Sequence, residues 1–439
     1  MSVAAELAAF AVTAEPDPAL HATIRPAVAD CFGCILGGAE SDVARRIGGG
    51  LAQGAEGRAP LYGTGRTAAP GHAALLNAAA GHAYDLDDWE EPGNTHPTVV
   101  ILPACLAAVH LRPIDGGALL AAYAVGFEVV ARLGEAVSLD HYARGFHSTA
   151  TLGAIAAAAA VSRLLGLTEA QATHALSLAA SQAVGYTVQF GSNAKPLQAG
   201  LAARAGLESA LMARAGATGQ ERVIEDPRGF AGLMGQAGRP LKPLGDPWAL
   251  REHGLILKPW PSCGYTHRLM TAALELRPQL EERLSEITAI HGTQPDFHNA
   301  ILPFERPTTR NEALFSAPAC IAQALVTGRL TLDDSEARFW EDSAVARLIT
   351  VTNVAAEPAR NPHLNYDPAQ PDRLTVVLGE EVLSQDCAYP LGAPQNPMSE
   401  AQLAEKFASV TGRDAGCFAH LQGWPEASDI AVFFQEYET

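Results

Sequence analysis

Residues 73–97, AALLNAAAGHAYDLDDWEEPGNTHP, join a run of small apolar side chains to a cluster of carboxylates. The first part, residues 73–84, has the composition of a buried helix. A Pro92-Gly93 pair and Pro97 interrupt the second part, so we expect it to end in a loop. A buried helix that ends this way holds ionisable groups at the edge of a core. Burial shifts their pKa values there, and proton-transfer chemistry depends on such shifts.

The overall composition indicates a globular protein with two domains. The chain has 439 residues, of which 48% are hydrophobic, and this is enough for a large core. Its 48 acidic residues outnumber 30 basic ones and no stretch is basic, which argues against nucleic acid as a partner. An anionic substrate would need lysine, arginine or protonated histidine placed locally against the net charge of −18.

The cysteines and the apolar segments predict a cytoplasmic protein. Seven scattered cysteines are an odd number, which favours reduced thiols over a disulfide framework. The N-terminus lacks the basic and apolar segments of a signal peptide. The apolar run 149–161 is too short to span a bilayer and predicts a buried helix, so we expect no membrane partner.

Hydrophobic periodicity changes along the chain and predicts a mainly α fold. Helical spacing and capping boxes predict helices over 4–12, 24–37, 117–137, 172–184 and from Ser399 onward. After about residue 270, strand patterns cover 287–291, 347–354, 373–378 and 382–386, between helical runs at 269–280 and 315–326. We therefore predict a large all-helical domain, residues 1–265 and 396–439, and a smaller α+β domain, residues 266–395.

Two segments of the predicted helical domain carry histidines that are candidates for catalysis or ligand binding. Asp85, Asp87, Asp88 and His96 form either a solvated acidic loop or a site in which His96 is fixed at the edge of the core. His147 precedes the apolar run, and the dipole at a helix N-terminus disfavours the imidazolium form. His147 is either structural or a neutral histidine that faces a bound carboxylate.

Two lysine segments are further candidates. Lys195 is the only lysine before Lys242 and lies in an apolar region, so it is either a surface residue or a partly buried lysine that binds a carboxylate or acts as a base. Residues 258–268, KPWPSCGYTHR, lie at the predicted domain boundary, where ligands often bind, although a rigid linker would have a similar pattern. Nucleophilic catalysis by Cys263 is a weaker alternative.

Together these segments resemble the MmgE/PrpD family, whose members include 2-methylcitrate dehydratase, cis-aconitate decarboxylase and iminodisuccinate epimerase. The likeness covers nearly the whole chain. It rests on Asp85-Leu-Asp-Asp with Thr95-His96-Pro97, Gly145-Phe-His147-Ser-Thr, Lys195-Pro-Leu, Lys258-Pro-Trp-Pro-Ser, Asp226-Pro-Arg-Gly-Phe230 and Asn396-Pro-Met-Ser399. The resemblance implies a homodimer in which the α+β domain is a lid, with a cofactor-free and metal-free site between the domains.

The same resemblance implies the site residues. Catalytic roles fall on Asp85, His96, Tyr142, His147 and Lys195, and a substrate-binding role falls on Lys258. We add Cys263 and His267 as substrate-binding candidates because they belong to the same segment as Lys258, and Arg144 and Arg268 because the substrate carboxylates need cations. The sequence departs from the decarboxylase-like pattern at Cys263, where that pattern has a histidine, and the surrounding segment is more similar to the epimerase.

The chemistry implied is removal of a proton next to a carboxylate of a small di- or tricarboxylate. Basic side chains would stabilise the enolate-like intermediate, with His147 or Tyr142 as base on one face and Lys195 on the other. A hydro-lyase similar to 2-methylcitrate dehydratase is the first prediction. An epimerase, a carboxy-lyase and a non-catalytic binder of organic acids are the alternatives.

Overall fold

The computed structural model describes residues 1–51, 56–235 and 240–439. The chain divides into two compact units. The larger contains Met1–Ala83, Asp87–Ile256 and Ala401–Thr439, and the smaller contains Tyr84–Leu86 and Leu257–Glu400. Helices predominate and the sheets are small, so the predicted mainly α fold is confirmed.

The larger unit is built from helices that pack on one another. Its α-helices are Val3–Thr13, His21–Gly38, Asp42–Gly50, Pro70–Gly81, Thr98–Ala108, Gly116–Ala143, Ser148–Leu165, Glu169–Ala180, Ala194–Arg214, Phe230–Met234, Ala249–His253, Glu400–Thr411 (which begins at the unit boundary), Gly416–Leu421 and Ile430–Gln435. The predicted capping box at Thr168 and Gln171 is present and begins the helix Glu169–Ala180. A short antiparallel hairpin, Ala59–Leu61 with Arg66–Ala68, was not predicted, because three-residue strands show no alternation.

Small residues bring three buried helices of this unit together. A Cβ atom on Gly200 would lie 2.4 Å from the Leu75 carbonyl oxygen, and one on Gly206 would lie 2.4 Å from the Ala157 Cβ. The helix Ala194–Arg214 therefore touches both Pro70–Gly81 and Ser148–Leu165 at distances that only glycine permits. Each of these helices contributes to the candidate site.

Within the described part of the chain, three helices are long and apolar enough to cross a membrane by length and composition alone. They are Pro18–Gly38, Gly116–Val137 and Ser148–Leu165, and 61%, 83% and 94% of their apolar windows are buried inside the fold. The run 149–161 was predicted to be too short to span a bilayer. That argument is wrong, because the run belongs to an 18-residue helix. The prediction of a buried helix is confirmed.

The smaller unit contains one four-stranded sheet and six α-helices among its described residues. The strands lie in the order Thr352–Glu357, Ala289–Pro295, Asp372–Leu378, Glu381–Cys387, and the first two are parallel while the other neighbours are antiparallel. The predicted hairpin is confirmed, with Gly379 at φ +62° in its turn. The helices are His267–Leu280, Asp296–Ile301, Arg310–Ala313, Ala317–Thr327, Leu332–Glu336 and Ser343–Thr350.

The strand predicted over residues 347–354 is wrong in its first half. Residues Ser343–Thr350 form a helix, and only Thr352–Glu357 is a strand. Val345, Leu348 and Ile349 are buried at helical spacing, and the Asp342 carboxylate accepts hydrogen bonds from the first turn of the helix. The β-branched residues suggested a strand, but packing and the N-cap determine the helix.

A buried ion pair fastens the C-terminal helix Glu400–Thr411 to the helix His21–Gly38. The Lys406 ammonium lies 2.7 Å from the Asp30 carboxylate, and both side chains are at most 5% exposed. Removing one member of such a pair leaves an uncompensated charge in the core, which is strongly destabilising.

We expect Lys406→Met to lower the free energy of unfolding by about 3 kcal/mol, because Asp30 would remain buried without its countercharge. Urea unfolding followed by far-ultraviolet circular dichroism measures the change. Lys242→Met is the matched control, since Lys242 is 51% exposed and surface ion pairs contribute at most about 1 kcal/mol. Equal losses in the two variants would contradict the assignment of Lys406 as a buried anchor.

Candidate active site

The candidate site of the larger unit begins where the buried helix Pro70–Gly81 ends. His82 is the residue after this helix, and its backbone N–H donates to the Ala78 carbonyl. The chain then enters the acidic segment, and it returns to the larger unit at Asp87, whose side chain is fully buried. The helix and the segment thus fix one histidine and one carboxylate inside the core.

The Asp87 carboxylate lies between two imidazoles. Nδ1 of His82 is 2.9 Å from both carboxylate oxygens, and Nδ1 of His96 is 3.2 Å from Oδ2. The two rings are 4.5 Å apart and nearly perpendicular. Burial opposes ionisation of Asp87, but the charges and hydrogen bonds of His82 and His96 outweigh it and hold its pKa well below the ordinary value.

Buried hydrogen bonds hold the loop between Asp87 and His96. The Glu90 carboxylate accepts from the backbone N–H groups of Gly93 and Thr95 and from the Thr95 hydroxyl at 2.6 Å. Burial raises the pKa of Glu90 to about 7. The backbone N–H of His96 donates to Thr149 Oγ1 at 3.0 Å, and this hydrogen bond connects the loop to the helix Ser148–Leu165. His96 is therefore positioned by backbone contacts as well as by its side chain.

His147 is the N-cap residue of the helix Ser148–Leu165 and is 2% exposed. Its Nδ1 lies 2.7 Å from Gln198 Oε1, and Gln198 Nε2 donates to the Tyr186 carbonyl, which orients the amide. Because Oε1 only accepts, we assign the hydrogen of His147 to Nδ1 and the lone pair to Nε2. Among the residues that the structure describes, the buried Nε2 has no hydrogen-bond partner.

The surroundings keep the His147 imidazole neutral. Burial lowers its pKa well below the ordinary value, and the nearby charges of His82 and Lys195 lower it further. The His82 ring is stacked at 6.1 Å from the His147 ring. A neutral, buried imidazole with an unshared lone pair has the properties of a general base.

Lys195 meets His147 through the phenyl ring of Phe190. The Lys195 ammonium lies 5.1 Å from the centre of this ring, and the His147 ring packs edge-to-face against it at 5.0 Å. Lys195 is 6% exposed and lies in the first turn of the helix Ala194–Arg214. The structure therefore brings His96, His147 and Lys195, which were predicted from distant segments, into one cluster.

A second cluster of predicted residues lies within the smaller unit. The Lys258 ammonium is 2.7 Å from the Asp85 carboxylate and 2.9 Å from the Asp85 carbonyl, and Asp85 has φ +53°. Ser262 Oγ lies 3.1 Å from His267 Nε2. Cys263 is buried beside this serine, and its N–H donates to the Leu314 carbonyl.

Three predicted residues remain: Arg144 and Tyr142 in the larger unit, and Arg268 in the smaller unit. Arg144 is exposed at the end of the helix Gly116–Ala143. Tyr142 is half-buried, with its ring 6.3 Å from that of Phe190. The buried Arg268 guanidinium donates hydrogen bonds to the Ala388, Gln370 and Asp367 carbonyls and to the Asp372 carboxylate. It therefore holds segments of the smaller unit together.

Sequence analysis missed His82 and Gln198. A single histidine at the end of an alanine-rich run has no pattern of its own, although its position three residues before Asp85 was a usable signal. Gln198 follows Lys195 by three residues, so the two share a helix face. Neither spacing shows that these side chains contact Asp87 and His147.

Among the residues that the structure describes, two groups have the donor atoms that a metal ion needs. The ligating atoms of His82, Asp87 and His96 lie within 4.8 Å of one another, but Nδ1 of His82 is already hydrogen-bonded to the carboxylate and Nδ1 of His96 lies 3.2 Å from it. The carboxylates of the second group are matched by cations; the group is Glu135, Glu252 and His253, and the cations are Arg132 and Lys242. The absence of a metal or cofactor stays a prediction.

Comparison with known proteins relates both parts of the chain to one family. Residues 4–240 match the model of the MmgE/PrpD N-terminal domain, and residues 260–416 match that of the MmgE/PrpD C-terminal domain.

Curated relatives are cis-aconitate decarboxylases. The human cis-aconitate decarboxylase is 28% identical over 77% of this chain and 72% of its own length. The cis-aconitate decarboxylase-like protein oryM of Aspergillus oryzae is 32% identical over 68% of this chain and 67% of its own. A cis-aconitate decarboxylase of Aspergillus terreus is 29% identical over 80% and 76%.

We expect Gln198→Glu to raise the pKa of His147, because a carboxylate would stabilise the imidazolium that the amide does not. Histidine NMR during a pH titration measures this change. The control Gln189→Glu adds the same charge at an exposed position and should leave the titration of His147 unaltered. If His147 titrates alike in the wild type and in Gln198→Glu, the amide does not govern its protonation.

Proposed function

The chain belongs to the MmgE/PrpD family, and from this premise we propose that it is a cofactor-independent lyase that acts on a small di- or tricarboxylate. The observation that carries the proposal is the geometry of His147: its Nδ1 is bound to Gln198, its buried Nε2 has no hydrogen-bond partner among the described residues, and it shares the Phe190 ring with Lys195. This combination suits removal of a proton, or loss of CO₂, at a carbon next to a carboxylate.

His147 and Lys195 have different roles in this proposal. In the reactions that begin with removal of a proton from carbon, His147 Nε2 accepts that proton, because its Nδ1 is bound to Gln198 and its pKa is depressed. Lys195 supplies positive charge where the substrate becomes enolate-like. A local cation is needed because the chain has a net charge of −18, which opposes the approach of a polycarboxylate.

The residues of the second cluster keep their predicted substrate-binding role as part of the proposal. Lys258 is held by Asp85 and His267 by Ser262, so both side chains are oriented before a ligand arrives. Preorganised donors stabilise developing charge without the cost of reorganisation. Cytoplasmic location and a homodimer also stay predictions.

The named relatives make carboxy-lyase chemistry on cis-aconitate the first reaction to test. Loss of CO₂ leaves an electron pair that the adjacent carboxylate takes up as an enolate, and a proton then returns to carbon. The hydro-lyase reaction, predicted first from the sequence, forms the same kind of enolate by loss of a proton. The neighbouring hydroxyl group then takes up a proton and leaves as water. An epimerase would return the proton to the opposite face.

Incubation in D₂O with cis-aconitate, 2-methylcitrate and iminodisuccinate, followed by NMR, distinguishes these reactions. Release of CO₂ with deuterium in the product identifies the carboxy-lyase. Loss of water with a new alkene signal identifies the hydro-lyase, and deuterium uptake without loss of a group identifies the epimerase. If ligands bind but none exchanges or reacts, the lyase proposal is wrong and the chain is a binder.

Lys195→Ala should lower kcat by roughly 10²–10³-fold, the loss typical of removing one preorganised group that stabilises an oxyanion. It should also raise the pKa of His147, because the lysine charge depresses it. Steady-state kinetics and histidine NMR measure the two effects. Lys242→Ala, at an exposed lysine, is the control and should change neither; a Lys195→Ala enzyme of normal kcat would remove Lys195 from the site.

A further inference from the structure

We infer that Asp87 joins His82 and His96 into one carboxylate-bridged imidazole pair, and that this pair holds the proton that is returned to the substrate carbon. The inference rests on the proposed function and deepens it, because it assigns the acid that complements His147. It also adds His82, which the sequence did not identify, to the site. Asp87 acts through the histidines and is a positioning residue.

The contacts with Asp87 assign the tautomer of each ring. An ionised carboxylate can only accept, so we assign a hydrogen to Nδ1 of His82, which is hydrogen-bonded to Asp87 at 2.9 Å, and to Nδ1 of His96, which faces the same carboxylate at 3.2 Å. An additional proton on either ring must then lie on Nε2. Nε2 of His82 is buried and has no hydrogen-bond partner within residues 1–51, 56–235 and 240–439.

The partners of the histidines differ in charge. Asp87 carries a negative charge that stabilises an imidazolium, whereas Gln198 offers His147 a neutral amide. The His82 and His147 rings are stacked 6.1 Å apart, so a proton on one ring disfavours a proton on the other. In this inference the transferable proton lies on the bridged pair, whose carboxylate is negative, and His147, whose pKa burial and the nearby charges lower, is the neutral base.

Within the larger unit, Asp87 is the ionised carboxylate that contacts His82 and His96, because the other buried acids near it are paired with a cation or uncharged. Asp30 is bound to Lys406, and burial raises the pKa of Asp88 well above its usual value. Burial likewise raises the pKa of the Cys31 and Cys34 thiols, which keeps both uncharged. Tyr123, whose pKa burial also raises, is neutral too, and Lys195 is the cation near His147.

The proton return balances without another reactant. The electron pair left on carbon forms the new C–H bond, and the Nε2–H bond of the imidazolium breaks. The imidazole becomes neutral while Asp87 keeps its Nδ1–H hydrogen bond. This division resembles the role of a buried carboxylate that holds a catalytic histidine in one tautomer and stabilises its charged form.

Asp87→Asn tests the inference, because an amide offers one acceptor and one donor and cannot receive two Nδ1–H groups. In the wild type, ¹⁵N NMR of histidine-labelled enzyme without substrate should show Nδ1–H on both His82 and His96. In the variant at least one tautomer should change. We expect kcat to fall by roughly 10³-fold or more with little change in KM, and the alkaline limit of the pH profile to move to lower pH.

His82→Gln and Asp88→Asn complete the test. His82→Gln keeps the Asp87–His96 contact and should still lower kcat at least tenfold, so full activity would overturn the role of His82. Asp88→Asn removes a neighbouring buried carboxylate and should leave the tautomers of His82 and His96 unchanged. If Asp87→Asn is folded but keeps both tautomers and the wild-type pH profile, the inference is wrong. The NMR result needs no turnover, so it stays decisive even if the wild type transforms none of the substrates.

Discussion

The negative charge of Asp87, enclosed in a helical core, is the constraint on which the candidate site depends. A buried carboxylate is costly unless other groups compensate it, and here two imidazoles do so. The loop that carries His96 must hold its shape for this pairing, and Glu90 and Thr149 hold it through buried hydrogen bonds. The same contacts stabilise the charge of Asp87 and orient the imidazole rings of His82 and His96.

The small residues of the core make the meeting of distant segments possible. His82, His147 and Lys195 lie at the ends of three different helices, and those helices approach one another over glycine and alanine. A larger side chain at Gly200 or Gly206 would separate the helices and with them the histidines. The alanine-rich composition is thus part of how the site is built, beyond its contribution to the apolar core.

Sequence patterns predicted the long helices and the hairpin because each is encoded by local periodicity. The strand over 347–354 was wrong because β-branched residues also fit a capped helix whose apolar face is buried. His96, His147 and Lys195 were recognisable from their flanking residues and from family resemblance. His82 and Gln198 were not, because their importance lies in contacts with Asp87 and His147, and sequence distance does not encode such contacts. The lid role of the smaller unit, the dimer and the reaction itself stay predictions.

Asp85 and Asp87 are separated by one residue, yet each is bound inside a different compact unit. Inserting or deleting one residue between them would displace at least one of the two carboxylates from its partner, Lys258 or His82. We therefore expect changes in the length of this stretch to be tolerated less well than point substitutions around it.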